Sequence, residues 1–409
     1  MVRKRKNETV DSGTVDLSKD VGLTQFQEAN YSEVTNRLPT MIPQLDYILG
    51  GGLPFGRMVE IMGVNSSGKS RTAVRFTRIA QMLGLITVWI DVEGTMEPSQ
   101  LRDLGVDMTR NDIFMVEPDV DKKTGDLVPV TVEWVAEKLG GLVPALAKSG
   151  KPCVIIWDSV AQTPAEVEIE RGVANRQPGL KGKALAQFSQ IIAPLMTNSQ
   201  VLFIAINQAR DEMGSMFGGI TSPGGNAFKH WASLRIEVKK RSQIKSKVTN
   251  AFGVEDEEYI GHIIGFVTVK SKVSRPNQKA DAYLLSDNGL NFEENVYRSC
   301  LSTKQYNLIS GGVWRKYTKL DGTEVKFNSD AAWVEYLRSE EGHPVLVELF
   351  GRMMAISFPS GYAPYNNRDV DITKIPIYKE IKDYQKTYGN APEEIKVDPQ
   401  EVDDLVNNI

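Results

Sequence analysis

The most informative segment of the chain is Gly63-Val64-Asn65-Ser66-Ser67-Gly68-Lys69-Ser70. It matches the pattern of a phosphate-binding loop, in which glycine, four free positions and glycine are followed by lysine and then serine or threonine. An apolar run, Met58-Val59-Glu60-Ile61-Met62, precedes it, and a helix-compatible segment, Arg71 to Leu83, follows it. Because backbone N–H groups and a helix start point partial positive charge at phosphates, this setting predicts a nucleoside triphosphate site.

Two side chains of this loop carry chemistry. Lys69 adds a full positive charge at the outer phosphates, and the Ser70 hydroxyl is placed to hold Mg²⁺. A glycine-rich turn between a strand and a helix can also be a plain tight connection, but the Lys69-Ser70 ending favours the phosphate-binding loop. We therefore assign nucleotide binding to the loop and to Arg71, the residue that follows it.

The composition is that of a soluble protein with two or more domains. The chain has 409 residues, of which 41% are hydrophobic and 24% charged. No apolar run is long enough to span a bilayer, and the N-terminus lacks the apolar segment of a secretory signal. The two cysteines, Cys153 and Cys300, lie outside any metal-ligand pattern. We therefore expect free thiols and a cytoplasmic protein without a membrane partner.

The charge pattern gives only local hints of nucleic acid. The net charge is −4, so any DNA binding must come from local patches. Two basic runs exist, Arg3 to Lys6 and Lys239-Lys240-Arg241 with Lys245 and Lys247. Taken alone, each is interpreted as a solvated tail or loop. The end of the chain is acidic and poor in aromatics, which predicts an acidic tail over residues 391–409.

Short β-rich runs alternate with helical stretches from residue 37 to residue 292. Several runs are continuously apolar, as expected of strands covered by helices on both faces, so the alternation predicts an α/β domain with a mainly parallel sheet. Residues 1–36 are predicted to form an arm, and residues 293–390, with helical Ala331–Ser339 and Val345–Ile356, a small mixed α+β domain. The predicted strands are Met58–Met62, Ile86–Asp91, Ile113–Val116, Val154–Asp158, Val201–Asn207, Leu234–Val238, Ile263–Lys270 and Ala282–Leu285.

Phosphoryl transfer also needs a metal-organising carboxylate and a group that directs the attacking water. Asp158 ends a buried strand and suits the first role, because ligands of open α/β sheets collect at the carboxyl ends of strands. Taken alone, it could equally cap a turn. Glu93 follows another strand and is the candidate general base for water, with Asp91 as the competing choice.

The predicted strand Val201–Asn207 closes with amides rather than acids, at Asn207 and Gln208. An amide there can hydrogen-bond the γ-phosphate before hydrolysis and lose that bond afterwards. The segment that follows, residues 213–225, contains five glycines and one aromatic residue, Phe217. It could be simple disorder, or a switch that becomes ordered on a ligand.

Together these features resemble the RecA-type recombinases, and the similarity runs from about Leu38 to Phe292. An ordered series of this kind is more specific than a phosphate-binding loop alone. The matching segments are Gly56-Arg57-Met58-Val59-Glu60-Ile61, Ile90-Asp91-Val92-Glu93, Leu104-Gly105-Val106-Asp107, Asp158-Ser159-Val160-Ala161, Ile206-Asn207-Gln208, Met216-Phe217-Gly218, Gly224-Gly225-Asn226-Ala227 and Lys270-Ser271-Lys272.

The resemblance implies a RecA-like P-loop ATPase core with an N-terminal oligomerisation arm. It also implies a function: ATP-bound protomers would form a helical filament on single-stranded DNA, search double-stranded DNA for homology and exchange strands during recombination and repair. ATP and Mg²⁺ are the implied cofactors. The arm would pack on the neighbouring protomer, and a single-strand-binding protein and loader proteins are further candidate partners.

The resemblance also implies roles for individual residues. Glu93 corresponds to the water-activating glutamate and Gln208 to the γ-phosphate sensor. Asp158 would hold the metal through water, together with the Ser70 hydroxyl. Lys270 and Lys272 would reach ATP held by the neighbouring protomer. Cations supplied across an interface would couple hydrolysis to assembly.

Two DNA-binding loops are implied, at about Glu168–Gly182 and Asp211–Gly224. Contacts of this kind involve the DNA backbone, so binding should be nearly independent of sequence and sensitive to salt. The expected phosphate contacts of the first loop are Arg171, Arg176, Lys181 and Lys183. The expected contacts of the second loop and its end are Met216, Phe217, Gly218, Gly224, Gly225 and Asn226.

The chain departs from the family pattern at several points. Gln100 stands at the expected nucleotide contact, where the family commonly stacks an aromatic side chain on adenine. His230 stands where an aromatic residue is usual near the protomer interface, and no family match is visible beyond residue 293.

Two rival classes share parts of this pattern, a ring-shaped helicase of the same fold and a non-catalytic recombination mediator. The Phe-Gly and Gly-Gly-Asn series with Lys-x-Lys after it favours the recombinase over the helicase. The intact ATP-site residues count against the mediator.

Overall fold

The computed structural model describes residues 33–388, except residues 95, 172–178, 198, 212–219, 223, 250–254, 288 and 303. The strands are β1 (Arg37–Leu38), β2 (Leu53–Pro54), β3 (Arg57–Gly63), β4 (Ile86–Asp91), β5 (Ile113–Met115), β6 (Cys153–Asp158), β7 (Val201–Gln208), β8 (Arg210–Asp211), β9 (Ile220–Thr221), β10 (Leu234–Thr249), β11 (Glu255–Ser271), β12 (Lys279–Leu285), β13 (Arg315–Thr318) and β14 (Glu324–Phe327). The α-helices are α1 (Pro43–Leu49), α2 (Lys69–Met82), α3 (Pro98–Asp103), α4 (Val132–Ser149), α5 (Glu166–Arg171), α6 (Leu180–Thr197), α7 (Gly225–Trp231), α8 (Phe292–Ser302), α9 (Asp330–Arg338), α10 (His343–Ser357) and α11 (Pro376–Tyr388).

Eight strands form one central sheet in the order β12-β11-β10-β3-β7-β6-β4-β5. Every pair of neighbouring strands from β10 to β5 in this order is parallel. β11 is antiparallel to both of its neighbours, β10 and β12. Each of the eight predicted strands is present in this sheet. The prediction of an α/β core with a mainly parallel sheet is confirmed.

The inner strands are mainly apolar, as expected where helices cover both faces of a sheet. Along β6, Val154 and Ile156 face a core that contains Phe76 and Ile79 of α2. The alternate side chains, Ile155 among them, face a second core built with α4 and α6. The two-residue alternation of a strand therefore fills both cores from one continuous apolar run.

Helix α4 shows how local sequence sets a boundary. The Thr131 side chain accepts a hydrogen bond from the backbone N–H of Trp134 at 3.0 Å, which caps the first turn. The helix ends at Gly150, which takes the left-handed conformation with φ 65°.

β10 and β11 form an antiparallel hairpin much longer than the two predicted strands. β11 pairs with β12 only over Gly261–Val267, and β10 pairs with β3 only over Leu234–Glu237. Residues 245–249 and 255–259 pair only with each other. The distal part of the hairpin is therefore a two-stranded ribbon that continues past the rest of the sheet.

The basic run from Lys239 to Lys247 lies on the strand β10, so its interpretation as a loop is wrong, but Lys239, Lys240, Arg241 and Lys245 are exposed, as expected of a solvated segment. Across the ribbon, the strand register places Glu258 and Glu257 of β11 opposite Ser246 and Lys247. Three cations of the run have acidic partners at 3.0 Å: Lys239 with Glu237, Arg241 with Asp281 and Lys245 with Glu257. The other basic run, Arg3 to Lys6, lies outside the described residues.

The segment after residue 292 shares its apolar core with the α2 face of the sheet. Trp333 of α9, Phe350 of α10 and Tyr378 of α11 belong to the same buried cluster as Phe76 of α2. From Val34 onward the chain clusters as one compact unit. The division at residue 292 remains a prediction, and the proposed arm (apart from residues 33–36) and the acidic tail lie outside the described residues.

A buried carboxylate, Asp46 of α1, joins this C-terminal segment to the core. Asp46 is fully buried and accepts hydrogen bonds from the Thr40 backbone N–H at 2.8 Å and from the Tyr362 hydroxyl at 2.9 Å. Burial raises the pKa of Asp46 to about 7, although both hydrogen bonds oppose the rise. The folded protein therefore binds a proton that the unfolded chain releases near pH 4.

We expect Asp46→Asn to flatten the pH dependence of stability. Between the ordinary pKa of 3.8 and about 7, the native state holds more protons than the unfolded state, so stability falls as pH rises. This loss is at most about 1.4 kcal/mol per pH unit, and an asparagine does not titrate. The measurement is the thermal unfolding midpoint of both proteins from pH 4.5 to pH 7.5. If the midpoints of the variant and the wild type change in parallel with pH, Asp46 does not have the raised pKa.

Candidate nucleotide site

The phosphate-binding loop lies between β3 and α2, as predicted. Ser66 and Gly68 take left-handed backbone conformations, with φ 57° and φ 96°. A Cβ at Gly63 would lie 2.4 Å from the Val238 carbonyl oxygen, and one at Gly68 would lie 2.8 Å from Leu284 Cδ2. Since no side chain caps the start of α2, its first N–H groups remain available to an anion.

The phosphate-binding loop itself holds the side chain of Lys69. Its Nζ donates a hydrogen bond to the Val64 carbonyl oxygen at 2.8 Å. Burial lowers the pKa of Lys69, and the negative charges of Asp158 and Glu93 oppose that change. The ammonium group therefore lies between the loop and the two acids that the sequence had singled out.

Asp158 ends β6 at the same edge of the sheet, level with Asp91 of β4. Burial raises the pKa of Asp158 to about 6, and the negative charges of Glu93 and Asp91 add to the rise, while a hydrogen bond from Ser70 and the charge of Lys69 oppose it. A carboxylate under this repulsion gains from a nearby divalent cation.

The donor set fits a magnesium ion that binds mainly through the nucleotide. Ser70 and Asp158 are joined by a side-chain hydrogen bond, so their oxygen atoms lie next to each other. Each can bind the ion directly or through a water molecule. In the described part of the chain, no group of three or more His, Cys, Asp or Glu side chains could hold a metal alone. Mg²⁺ usually keeps several waters and binds through one or two carboxylates plus phosphate oxygens, so this sparse set suits it.

Glu93 lies on an exposed turn whose shape is set by its neighbours. Asp91 accepts the backbone N–H groups of Gly94 at 3.0 Å and Met96 at 3.1 Å, so its carboxylate structures the turn. The Ser159 hydroxyl donates to Glu93 Oε1 at 2.7 Å. The Glu93 carboxylate is thereby oriented from β6, the strand that carries Asp158.

Gln208 ends β7 directly beside the start of the phosphate-binding loop. It pairs in register with Gly63, and the next backbone N–H, of Ala209, donates to the Gly63 carbonyl oxygen at 2.9 Å. The Asn207 side chain accepts the Gln208 backbone N–H at 3.0 Å. The predicted sensor amide and the phosphate-binding loop are therefore adjacent.

A cavity of about 410 Å³ opens along the loop. Residues 66–71 line one side, and His262, Leu284 and Ser286 line the other. Arg71 joins the two sides, because its Nη1 donates to the carbonyl oxygens of Leu285 at 3.1 Å and Ser286 at 2.6 Å. Gln100 is exposed on α3 and is not among the lining residues, so the structure does not bring the expected base contact to this cavity.

A larger groove of about 570 Å³ lies between α4 and α6 but lacks the chemistry of a phosphate site. Its lining includes Glu133, Glu137, Phe188 and Ile191, and no lysine or arginine. We therefore assign the nucleotide to the smaller cavity, where the loop N–H groups and Lys69 converge.

Lys270 and Lys272 lie away from the phosphate-binding loop of their own protomer. Lys270 Nζ donates to the carbonyl oxygens of Lys229 and His230, both at 2.7 Å, and Lys272 Nζ donates to His230 at 3.2 Å. Both lysines thus lie at the carboxyl end of α7, where exposed carbonyl groups favour cations. Burial lowers the pKa of Lys270 to about 8, and the charges of Lys272 and Arg235 add to this change.

The two predicted DNA-binding loops end next to each other. A Cβ on Gly225, at the start of α7, would lie 3.5 Å from Gly182 Cα, near the start of α6. Arg171 and Lys183 are exposed, Lys181 Nζ donates to the Ala161 carbonyl oxygen at 2.6 Å, and Asn226 is exposed beside Gly224 and Gly225. Arg176 and Met216-Phe217-Gly218 lie outside the described residues.

No role is predicted from the sequence for the residues whose hydrogen bonds orient the side chains of this site. Ser159, which holds Glu93, appeared only as part of a matching segment. Glu60 was counted within an apolar run, yet it is fully buried and bonded to Asn207, Ser222 and Arg235. A charged residue in the middle of a buried strand is the signal that could have revealed it, because burying a charge is costly unless it is paired.

The fold and the site together define a P-loop ATPase with a RecA-like sheet. Family comparison agrees, because the model of the RecA N-terminal domain matches residues 19–291. The chain therefore belongs to the RecA family. It is a DNA-dependent ATPase of recombination and repair.

Curated relatives support this membership over most of the chain. The RecA protein of Clostridium acetobutylicum is 30% identical over 316 residues, which is 76% of this chain and 82% of the relative. That of Thermotoga petrophila is 30% identical over 331 residues, covering 80% and 83%. That of Borrelia duttonii is 29% identical over 381 residues, covering 92% and 95%.

The last alignment corrects the expectation that similarity ends near residue 293. Coverage of 92% of 409 residues cannot be reached within the first 292, so the similarity continues into the C-terminal segment. At the other end, the family match begins at residue 19 rather than at about Leu38.

Among the described residues, no helix is long and apolar enough to cross a membrane.

We expect Gly68→Ala to abolish nucleotide binding while the fold is retained. A Cβ there meets Leu284 at 2.8 Å, and φ 96° is unfavourable for alanine, so the loop must change shape. ATP affinity should fall at least about 100-fold in an equilibrium binding assay, which corresponds to about 2.7 kcal/mol.

Gly84→Ala is the matched control for this variant. Gly84 follows the other end of α2 and also has positive φ, but a Cβ there would lie no nearer than 3.8 Å to the atoms described around it, at Lys374 Nζ. It should lose about 1 kcal/mol of stability and keep its ATP affinity. Equal loss of binding in both variants would show that backbone strain, rather than loop shape, is responsible.

Proposed function

We propose that this protein forms helical filaments on single-stranded DNA and catalyses homologous pairing and strand exchange, with ATP binding and hydrolysis controlling the filament. One observation carries the proposal. The strand that ends in Asp158 leads into the first predicted DNA-binding loop, and the strand that ends at Gln208 leads into the second. A change at the γ-phosphate therefore acts on the segments nearest to DNA.

Within one protomer, the phosphate-binding loop would grip ATP. The backbone N–H groups at the start of α2 and the Lys69 ammonium would bind the phosphates, which releases Lys69 from the Val64 carbonyl oxygen. Ser70 would hold Mg²⁺ directly and Asp158 through water; when bound, the ion neutralises phosphate charge.

Glu93 would orient and deprotonate the attacking water. Its carboxylate is exposed, and Ser159 fixes one of its oxygens, so the other remains available to a nucleophile. Asp91 is bound to two backbone N–H groups of the turn, which favours Glu93 for this role. Gln208, beside Gly63, would report the presence of the γ-phosphate.

Lys270 and Lys272 would complete the site of the neighbouring protomer. Strand register supports action across an interface. Lys270 lies level with Arg235, and Arg235 with Glu60, three residues before Gly63. Three residues span about 10 Å along the strands. In the perpendicular direction, β10 lies between β11 and β3, so those two strands are two strand spacings apart, which is also about 10 Å.

DNA binding would be electrostatic and would depend on both loops. Arg171, Arg176, Lys181 and Lys183 would contact phosphates, and the second loop with Phe217 would lie against the bases. Single-strand-binding and loader proteins would control access to the strand. Both cysteines are free and buried, which fits work in a reducing cytoplasm.

The decisive experiment combines ATP hydrolysis, strand exchange and electron microscopy on single-stranded DNA. We expect DNA-stimulated hydrolysis, helical filaments and exchange with a homologous duplex. Glu93→Gln should bind ATP and form filaments, yet hydrolyse at least about 100-fold more slowly, because it loses the general base. Lys69→Ala should lose binding and turnover together.

Three outcomes would contradict this proposal. Closed hexamers without strand exchange would favour a helicase. Wild-type turnover in Glu93→Gln would move the base elsewhere, and normal hydrolysis in Lys69→Ala would overturn the phosphate assignment.

Subunit mixing tests whether the lysines act in trans. Lys69→Ala protomers lack a working loop, and protomers with both Lys270→Ala and Lys272→Ala lack the interface cations. A one-to-one mixture should recover about a quarter of wild-type hydrolysis, because half of the loops are intact and half of their neighbours supply lysines.

Each variant alone should be inactive, and Lys279→Ala, at an exposed position at the start of β12, should behave like wild type. A mixture no more active than its components would place the lysines' action in their own protomer.

A further inference from the structure

We propose that the buried carboxylate of Glu60 is a positioning group that ties the γ-phosphate-sensing strand to the second DNA-binding loop, so that DNA stimulation of ATP hydrolysis depends on it. This inference rests on the proposed function. Glu60 lies in β3, three residues before the phosphate-binding loop, and its side chain is fully buried.

Three segments distant in sequence donate hydrogen bonds to this one carboxylate. Oε1 accepts from Asn207 Nδ2 at 2.8 Å and from the Ser222 hydroxyl at 2.6 Å. Oε2 accepts from Arg235 Nε, and Arg235 Nη2 also reaches the Ser222 hydroxyl at 3.2 Å. The buried charge is thus paired with a cation and bonded to two neutral donors, as a stable buried carboxylate requires.

Two of these donors lie at the two ends of the second DNA-binding loop. Asn207 comes directly before Gln208, and its Oδ1 accepts the Gln208 backbone N–H at 3.0 Å. Ser222 comes after β9, two residues before Gly224 and the start of α7. A continuous chain of hydrogen bonds therefore runs from the backbone of the proposed sensor, through Glu60, to the far end of the loop.

Charge compensation alone does not require the Ser222 bond. Arg235 neutralises Glu60, and Asn207 already donates to the same oxygen that Ser222 contacts. Ser222 is itself buried, so it does not present its hydroxyl to DNA. The bond instead holds Ser222, at the loop end, to the carboxylate that also binds Asn207 of the strand that carries the sensor.

The test is Ser222→Ala, with the ratio of ATP hydrolysis at saturating single-stranded DNA to hydrolysis without DNA as readout. A merely structural defect lowers both rates by the same factor because it removes folded enzyme, so it leaves this ratio unchanged. Loss of positioning lowers the ratio. We expect a decrease of at least about 5-fold, since one buried hydrogen bond is worth about 1 kcal/mol.

Two further variants make the result specific. Ser222→Thr keeps a hydroxyl and should retain most of the stimulation. Ser189→Ala is the matched control: Ser189 is also fully buried, but among the residues that the structure describes its hydroxyl bonds only to the Leu185 carbonyl oxygen of its own helix, at 2.7 Å. Its ratio should equal that of wild type.

A double variant tests the shared route. If Asn207 and Ser222 act through the same carboxylate, Asn207→Ala with Ser222→Ala should lower the ratio no further than the stronger single variant does. A normal ratio in Ser222→Ala, an equal decrease in Ser189→Ala, or multiplied effects in the double variant would each overturn the proposal. No DNA stimulation in the wild type would instead overturn the proposed function.

Discussion

Parallel pairing of β3 with β7 sets the geometry of the whole nucleotide site. The pairing aligns Gly63 with Gln208, so the phosphate-binding loop and the sensor amide leave the sheet side by side. β6 and β4 continue the same parallel arrangement and deliver Asp158 and the Glu93 turn to the same edge. Four chain segments far apart in sequence thereby form one site, as in other open α/β sheets whose ligands bind at the carboxyl ends of strands.

Buried charge is what this arrangement must stabilise. Burial lowers the pKa of Lys69 and raises the pKa of Asp158, and the opposite charge of each residue opposes the shift of the other. Lys69 lies at the phosphate-binding loop, whereas Lys270 lies at the carboxyl end of β11 and Lys272 just beyond it, both against the end of α7. Under the proposed function, these lysines would complete the site of a neighbouring protomer, so hydrolysis would be faster in an assembly than in an isolated protomer. The same sheet also contains a buried charge, Glu60, which needs Arg235 as its counterion.

Much of the fold could be predicted because its signals are local. The strand Ile86–Asp91 was predicted with its observed boundaries, and others to within one or two residues, since an apolar run ends where the chain leaves the core. The hairpin of β10 and β11 was underestimated for the same reason. Its distal ribbon is polar and carries alternating partners such as Lys245 and Glu257, so no apolar run marks it. Charged strands that pair only with each other lack the apolar run by which the other strands were predicted.

The site, like the fold, has features that local sequence indicates and others that only the folded chain shows. The phosphate-binding loop, Asp158, Glu93 and Gln208 could be recognised in the sequence because each combines a residue type with the end of an apolar strand. Three findings follow only from the folded chain: the hydrogen bond from Ser159 to Glu93, the contacts of Glu60 with Asn207 and Ser222, and a nucleotide cavity whose lining does not include Gln100. Residue type and spacing are properties of the chain, whereas a hydrogen bond between residues more than 140 positions apart depends on strand order, which packing of the whole sheet determines.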